Sequence, residues 1–186
     1  MNYPNKIKKE YHKAVNYANR GMDLEAIIND TNNYLLEKDI AVIYKKPTPI
    51  GVVNVSYENN RQVITKAYFA TESTLDYNGL YKGKYIEFDA KVTKNSNSFP
   101  LANIHAHQIK HIRNIIKHGG IVFLIIEMND NYYLLKGIDL INFIDNNERK
   151  SIPFDYIKEK GYILEYNYNK GLNYIDIIGG FINEKN

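Results

Sequence analysis

Hydrophobic and polar positions along this chain change period several times, and each change predicts an element. Leu24, Ile27, Ile28, Thr31 and Leu35 form one stripe at helical spacing behind Asp23, which has the right chemistry for an N-cap. Ile40 to Tyr44 reads as a short buried strand, stopped by Pro47 and Pro49 after Lys45-Lys46. Gly51 to Tyr57 and Gln62 to Phe69 are rich in β-branched residues about Glu58-Asn59-Asn60, which predicts a hairpin. Helical spacing returns from His107 to His118, with Ile109, Ile112 and Ile116 inward and Gly119-Gly120 as the stop. Ile121 to Met128 is a continuous apolar run bounded by turn residues, as expected of a central strand covered on both faces. Asn131 to Leu135 is expected to pair with it through the turn at Asn129-Asp130-Asn131. A short helix follows over Ile138 to Ile144, and Pro153 opens another helical turn. From Tyr162 onward the pattern is a Tyr- and Ile-rich tail that does not separate strand from loop. Together these elements predict an α/β domain with a mixed central sheet flanked by helices.

The stretch from Ser73 to Val92 carries the chemistry. Tyr85 to Lys91 alternates, so Ile86, Phe88 and Ala90 share one strand face and Glu87, Asp89 and Lys91 share the other. The apolar face belongs to the core. On the charged face a carboxylate and a lysine two residues apart project side by side, which lets one hold a divalent cation while the other reaches the same phosphate oxygen. Asp76, before the turn-forming pair Asn78-Gly79, offers a second carboxylate. Asp76, Asp89 and Lys91 so placed suggest a metal-dependent nuclease. An exposed Asp89–Lys91 ion pair is the alternative that spacing leaves open. A second acid-x-Lys copy, Glu148-Arg149-Lys150, lies in a polar segment without strand pattern and reads as a solvated loop.

Composition narrows the class. With 186 residues the chain suits one domain, taken as residues 19–186, and its 44% hydrophobic content excludes general disorder. Cysteine is absent, which excludes a disulfide framework and a thiolate metal site. With no signal peptide or long apolar run, the expected location is the cytoplasm and no membrane association is expected. A net charge of +3 is compatible with nucleic acid without demanding it. Lysines at 6, 8, 9 and 13 make residues 1–18 a candidate mobile basic tail. His107 and His111 are four apart with His105 nearby, but without acidic neighbours they read as surface or phosphate-facing histidines. Glu25, at the start of the first helix, is a further catalytic candidate, or else an acidic residue that favours a helix N-terminus.

Five blocks then occur in order: Asn19-Arg20-Gly21-Met22; Lys45-Lys46-Pro47-Thr48-Pro49; Asp76-Tyr77-Asn78-Gly79 with Tyr81-Lys82-Gly83; Lys94 with Ser98-Phe99-Pro100-Leu101; and His107-Gln108. In order and spacing they resemble the RecU family of Holliday junction resolvases, across nearly the whole chain. The resemblance implies a restriction-endonuclease-like core of the PD-(D/E)xK type, with magnesium bound by Thr74, Asp76, Asp89 and Gln108 and with Mn²⁺ as a possible substitute. It assigns Lys91 to the transition state, and it implies a homodimer acting on four-way junction DNA. It also implies that the hairpin, about residues 55–73, projects as a stalk into the junction centre. Arg20, Lys66, Tyr68, Phe69, Lys82 and Lys94 are the expected DNA contacts. One departure is visible: family members usually carry Glu where this chain has Asp89. Altered metal geometry is the expected result, while the competing reading is a non-catalytic junction-binding or DNA-bridging protein that kept the fold.

Overall fold

The computed structural model describes residues 23–70 and 74–183; the expected basic tail and Arg20 lie outside them. Helix α1 (Leu24–Glu37) begins at Asp23, whose side chain accepts from the Glu25 N–H, and it buries the whole predicted stripe. A six-stranded sheet follows. In spatial order it runs β1 (Val42–Lys45), β4 (Tyr77–Tyr81), β5 (Lys84–Val92), β7 (Ile121–Met128), β8 (Asn131–Lys136) and β10 (Tyr162–Leu164). Only β5 and β7 pair in parallel, joined by helix α2 (Ala106–Lys117); the other neighbours are antiparallel, so the sheet is mixed.

The central run divides its side chains between two cores, as a strand with period 2 must when both faces are covered. Phe123 and Ile125 join α1 and the C-terminal helix α5 (Tyr174–Asn183) on one face. Val122, Leu124, Ile126 and Met128 join α2, α3 (Gly137–Asn146) and α4 (Phe154–Lys160) on the other. Across the first face Tyr77, Phe88 and Phe123 stack in register on β4, β5 and β7, with centroids 4.8 and 4.7 Å apart. Such stacks contribute about 0.5–1.5 kcal/mol per pair beyond their buried area, which stiffens the three strands that carry the charged row.

Three expectations change. Ile40 to Tyr44 is not a buried strand: β1 is an edge, with only Ile43 of its residues buried and Val42 and Tyr44 exposed, because a single neighbour pairs with it. Asn78-Gly79 is not a turn but lies inside β4. Glycine is needed there because a Cβ on Gly79 would come within 2.1 Å of the Val42 carbonyl oxygen on β1. The turn is instead Lys82-Gly83, both at positive φ, matching the two-residue turns at Asn59-Asn60 and Asn129-Asp130. The third change is the C-terminal region, which ends in α5 rather than an undefined tail. Tyr174 and Ile178 are fully buried, and the Tyr174 hydroxyl donates to Asn32 Oδ1 on α1.

The hairpin of β2 (Ile50–Glu58) and β3 (Arg61–Phe69) forms a two-stranded sheet of its own, as do β6 (Ser98–Pro100) and β9 (Ser151–Pro153). No residue from Gly51 to Tyr68 is buried.

Candidate active site

Strand β5 places the charged row, and its neighbours decide that the row is buried. In the parallel register Glu87, Asp89 and Lys91 lie beside Val122, Leu124 and Ile126, which are the β7 residues covered by the α2 layer. The same helix therefore has to cover the β5 row, and it does so with polar side chains, Gln108 and His111. Glu87 and Asp89 are both 0% exposed. The exposed-pair alternative for Asp89 and Lys91 is thereby removed: Lys91 Nζ sits 2.8 Å from Asp89 Oδ2 with the lysine itself mostly covered.

Asp76 directly precedes β4. Tyr77 pairs with Phe88, so continuing that antiparallel register by one residue puts Asp76 across from Asp89. The Asp76 acid is pushed up to about 6 by burial, then by the adjacent Asp89 carboxyl and its charge, against smaller opposing effects of Lys91 and Lys45. Two carboxyl groups placed this close repel each other when ionised and are suited to a cation that neutralises both. Asp89 supplies a second sign of this: its Oδ1 is buried without a hydrogen-bond partner, while Oδ2 accepts from Gln108 Nε2 at 2.8 Å and lies 2.8 Å from Lys91 Nζ as an ion pair. Hard oxygen donors with one buried lone-pair position unused fit a magnesium-type ion.

Gln108 is brought to the site as expected, with a defined orientation. Its Oε1 accepts from the His105 N–H at 3.1 Å, capping α2, and because that partner is a backbone donor the amide nitrogen must face Asp89. The amide thus holds Asp89 in place, and serving a metal through Oε1 would require giving up the cap. Thr74 lies two residues ahead of Asp76 and is partly buried. Glu25 pairs with Lys45 at 2.5 Å, both side chains well exposed, which places it on the rim beside Asp76 instead of in the carboxylate contact. Lys82 sits at the tip of the β4–β5 turn with its ammonium over the Tyr81 ring, and Lys94 is exposed beyond β5. Lys66, Tyr68 and Phe69 are exposed on β3, away from the carboxylates in sequence and sheet; the Tyr68 ring covers Gly51 across the hairpin. His105 and His107 stack on each other, and among the described residues no group of three or more His, Cys, Asp or Glu forms a metal cluster.

Residue-pattern reasoning missed the second half of the polar layer. Glu87 Oε1 accepts from Lys46 Nζ and from the Leu75 N–H at 3.2 Å, while Oε2 accepts from the Tyr85 hydroxyl at 2.7 Å and lies 2.9 Å from His111 Nε2. Burial opposes its ionisation, but Lys46, His111 and Tyr85 beside it outweigh burial and hold the carboxyl below its ordinary value.

A family model described as RecU, recombination protein U, matches residues 19–179. The chain belongs to the RecU family. Relatives named Holliday junction resolvase RecU include those of Streptococcus gordonii (44% identical, covering 99% of this chain and 100% of the relative) and Oceanobacillus iheyensis (46%, covering 94% and 96%). The Bacillus subtilis RecU is 48% identical over 89% of this chain and 82% of its own length. A fainter structural likeness, with TM-score 0.42 and 9% identity over 73% of this chain and 94% of the other, is to Hjc, a Holliday junction resolvase of Archaeoglobus fulgidus.

The raised Asp76 acid gives a stability test within this RecU-family fold. Between pH 3.8, the ordinary value, and about 6 the folded state holds the Asp76 proton more tightly than the unfolded chain. Stability from this group is therefore present below pH 3.8 and is lost as pH rises through 6. In metal-free buffer, the stability of the parent relative to Asp76→Asn should fall across that window, with a ceiling of about 3 kcal/mol at about 1.4 kcal/mol per pH unit, reduced by solvent screening. Thermal denaturation of both proteins from pH 4 to 7 measures it, and a flat difference would contradict the carboxyl pairing.

Proposed function

We propose that this protein is a structure-selective endonuclease that resolves four-way DNA junctions by metal-dependent phosphodiester hydrolysis, in recombination and repair. The observation that carries the proposal is the placement of half-buried Asp76 across the β4–β5 register from buried Asp89, with Lys91 alongside and Asp89 Oδ1 unpaired. The name its relatives carry, Holliday junction resolvase, supports the same substrate. Asp76 and Asp89 would hold Mg²⁺, or Mn²⁺ in its place, with Thr74 and Gln108 in support. The ion supplies polarisation of the scissile phosphate and a water acidic enough to attack at neutral pH. Asp89 is presented by Gln108 on one side and by Lys91 on the other, so its free oxygen is fixed in direction before any ligand arrives. Lys91 then keeps a positive charge where the pentacoordinate phosphate gathers negative charge, the main electrostatic demand of this reaction.

Selectivity is assigned to the β2–β3 hairpin, which stands as a separate sheet and exposes Tyr57, Tyr68 and Phe69. Aromatic side chains so placed can stack on bases freed at a crossover, while Lys66 meets phosphate. Lys82, Lys94 and Arg20 complete the proposed DNA contacts. Two symmetric cuts need two active sites, hence a homodimer. No helix among the described residues is long and apolar enough to cross a membrane, and we assign the protein to the cytoplasm.

The test is nicking of a synthetic four-way junction with and without Mg²⁺. Symmetric metal-dependent cuts support the enzyme; tight binding with no cutting in Mg²⁺ or Mn²⁺ identifies a junction-binding protein instead. Asp89→Glu refines the site. Restoring the methylene that the family usually has should keep or raise the cleavage rate and lower the Mg²⁺ needed for half-maximal cutting several-fold. A Mg²⁺ titration of both proteins decides it, and an unmoved midpoint removes Asp89 from the metal.

A further inference from the structure

Glu87 is fully buried two residues before Asp89, and the reaction just proposed gives it no task. An ionised carboxylate in that position is costly unless its lone pairs are filled, and three different segments donate to them while a fourth brings His111 Nε2 to 2.9 Å. Lys46 comes from the chain after β1, Leu75 from the segment before β4, Tyr85 from β5 itself and His111 from α2. These are the segments that carry the proposed metal site. Leu75 lies between Thr74 and Asp76. Lys46 grips the same segment a second time, since its backbone N–H donates to the Asp76 carbonyl oxygen at 2.7 Å. His111 is one helical turn beyond Gln108, so the α2 face that meets Glu87 also delivers the amide that holds Asp89.

We propose, building on the nuclease reading, that Glu87 is a positioning residue: its carboxylate ties the Leu75–Asp76 segment, Lys46 and α2 together so that Asp76 and Asp89 meet at metal-binding separation. The charge is essential to this role, because one oxygen pair must accept from an ammonium, a backbone amide and a phenol at once, with an imidazole nitrogen 2.9 Å away. A neutral amide at the same place has one acceptor oxygen, and its NH₂ faces donors. Leu75, Asp76 and α2 would then relax toward arrangements in which the two aspartates separate, lowering metal affinity without touching DNA.

The test compares the full-length parent with Glu87→Gln, Glu87→Asp and Tyr85→Phe. Mn²⁺ affinity is measured by calorimetry without DNA, alongside metal-free junction binding and Mg²⁺-dependent nicking. Glu87→Gln should weaken Mn²⁺ binding by about 10- to 100-fold, the usual effect of losing an outer partner of a metal ligand. Tyr85→Phe should weaken it by a smaller factor, Glu87→Asp should recover most of the loss, and metal-free junction affinity should stay within about twofold of the parent. If Glu87→Gln does not fold, Tyr85→Phe and Glu87→Asp carry the comparison, since Tyr85 is 39% exposed and its ring remains. Unchanged Mn²⁺ affinity in a folded Glu87→Gln or in Tyr85→Phe overturns the proposal, as does Glu87→Asp performing no better than Glu87→Gln. Leu140→Ala, a core substitution in α3, serves as the destabilised control, and an equal loss of Mn²⁺ affinity there also overturns it. Nicking by the parent reports separately on the nuclease reading, so an inactive parent with intact, Glu87-dependent Mn²⁺ binding rejects the reaction and not the positioning role.

Discussion

Asp76→Asn is expected to lower junction cleavage by at least about 10³-fold while leaving junction binding equal or tighter. The loss is larger than for an outer-sphere change because the carboxylate that stands across from buried Asp89 is removed outright. The gain in binding follows from electrostatics: an amide of the same shape repels phosphate less than a carboxylate, and Lys91 and Lys45, whose fields now act on Asp76, become freer to attract the backbone. Nicking and gel-shift measurements on one preparation separate the two effects. Undiminished nicking would remove Asp76 from the site, and loss of both activities would mean that the substitution damaged the fold.

Replacing residues 51–68 with an Asn-Gly turn is expected to abolish the preference for four-way junctions over linear duplex. Ile50 and Phe69 face each other across the hairpin, so a two-residue turn joins them without strain on the rest of the chain. Nothing between them is buried, and the core should be unaffected as judged by circular dichroism and thermal denaturation. The hydrolytic groups accept any phosphodiester, so selectivity has to come from an element shaped to the open centre of a junction. The ratio of junction to duplex affinity should fall by at least about tenfold, equivalent to about 1.4 kcal/mol. Duplex binding should survive with its steep salt dependence. A folded, shortened protein that still prefers junctions as strongly as its parent would make the hairpin ordinary sheet.

How much of this was legible in the sequence depends on the range of the interaction concerned. Period-2 and period-3.6 patterns are local, and they located α1, the hairpin, β5, α2, β7, β8, α3 and α4. They also aligned Asp89 with Lys91, because residues two apart in a strand share a face whatever surrounds them. Where local signals conflicted with packing they misled. Asn78-Gly79 has turn chemistry, but Gly79 is there because β1 approaches within van der Waals distance, a contact between strands more than thirty residues apart in the chain. Ile40 to Tyr44 is apolar enough for a central strand, yet which strand becomes an edge is fixed by pairing order. Helix α5 was hidden because its Tyr, Ile and paired glycines have poor helix propensity; packing of Tyr174 and Ile178 against α1 and the sheet outweighs it.

The sequence by itself determined the elements, the charged row on β5 and, through five blocks of residues in register, the family. Only the tertiary structure decided that this row is buried, that Asp76 meets Asp89, and that Glu87 gathers Lys46, Leu75, Tyr85 and His111. The reason is physical. A strand pattern states which side chains share a face but not what covers that face, and the covering here comes from α2, whose Gln108 and His111 are helical neighbours that only the parallel β5–β7 pairing brings over Asp89 and Glu87.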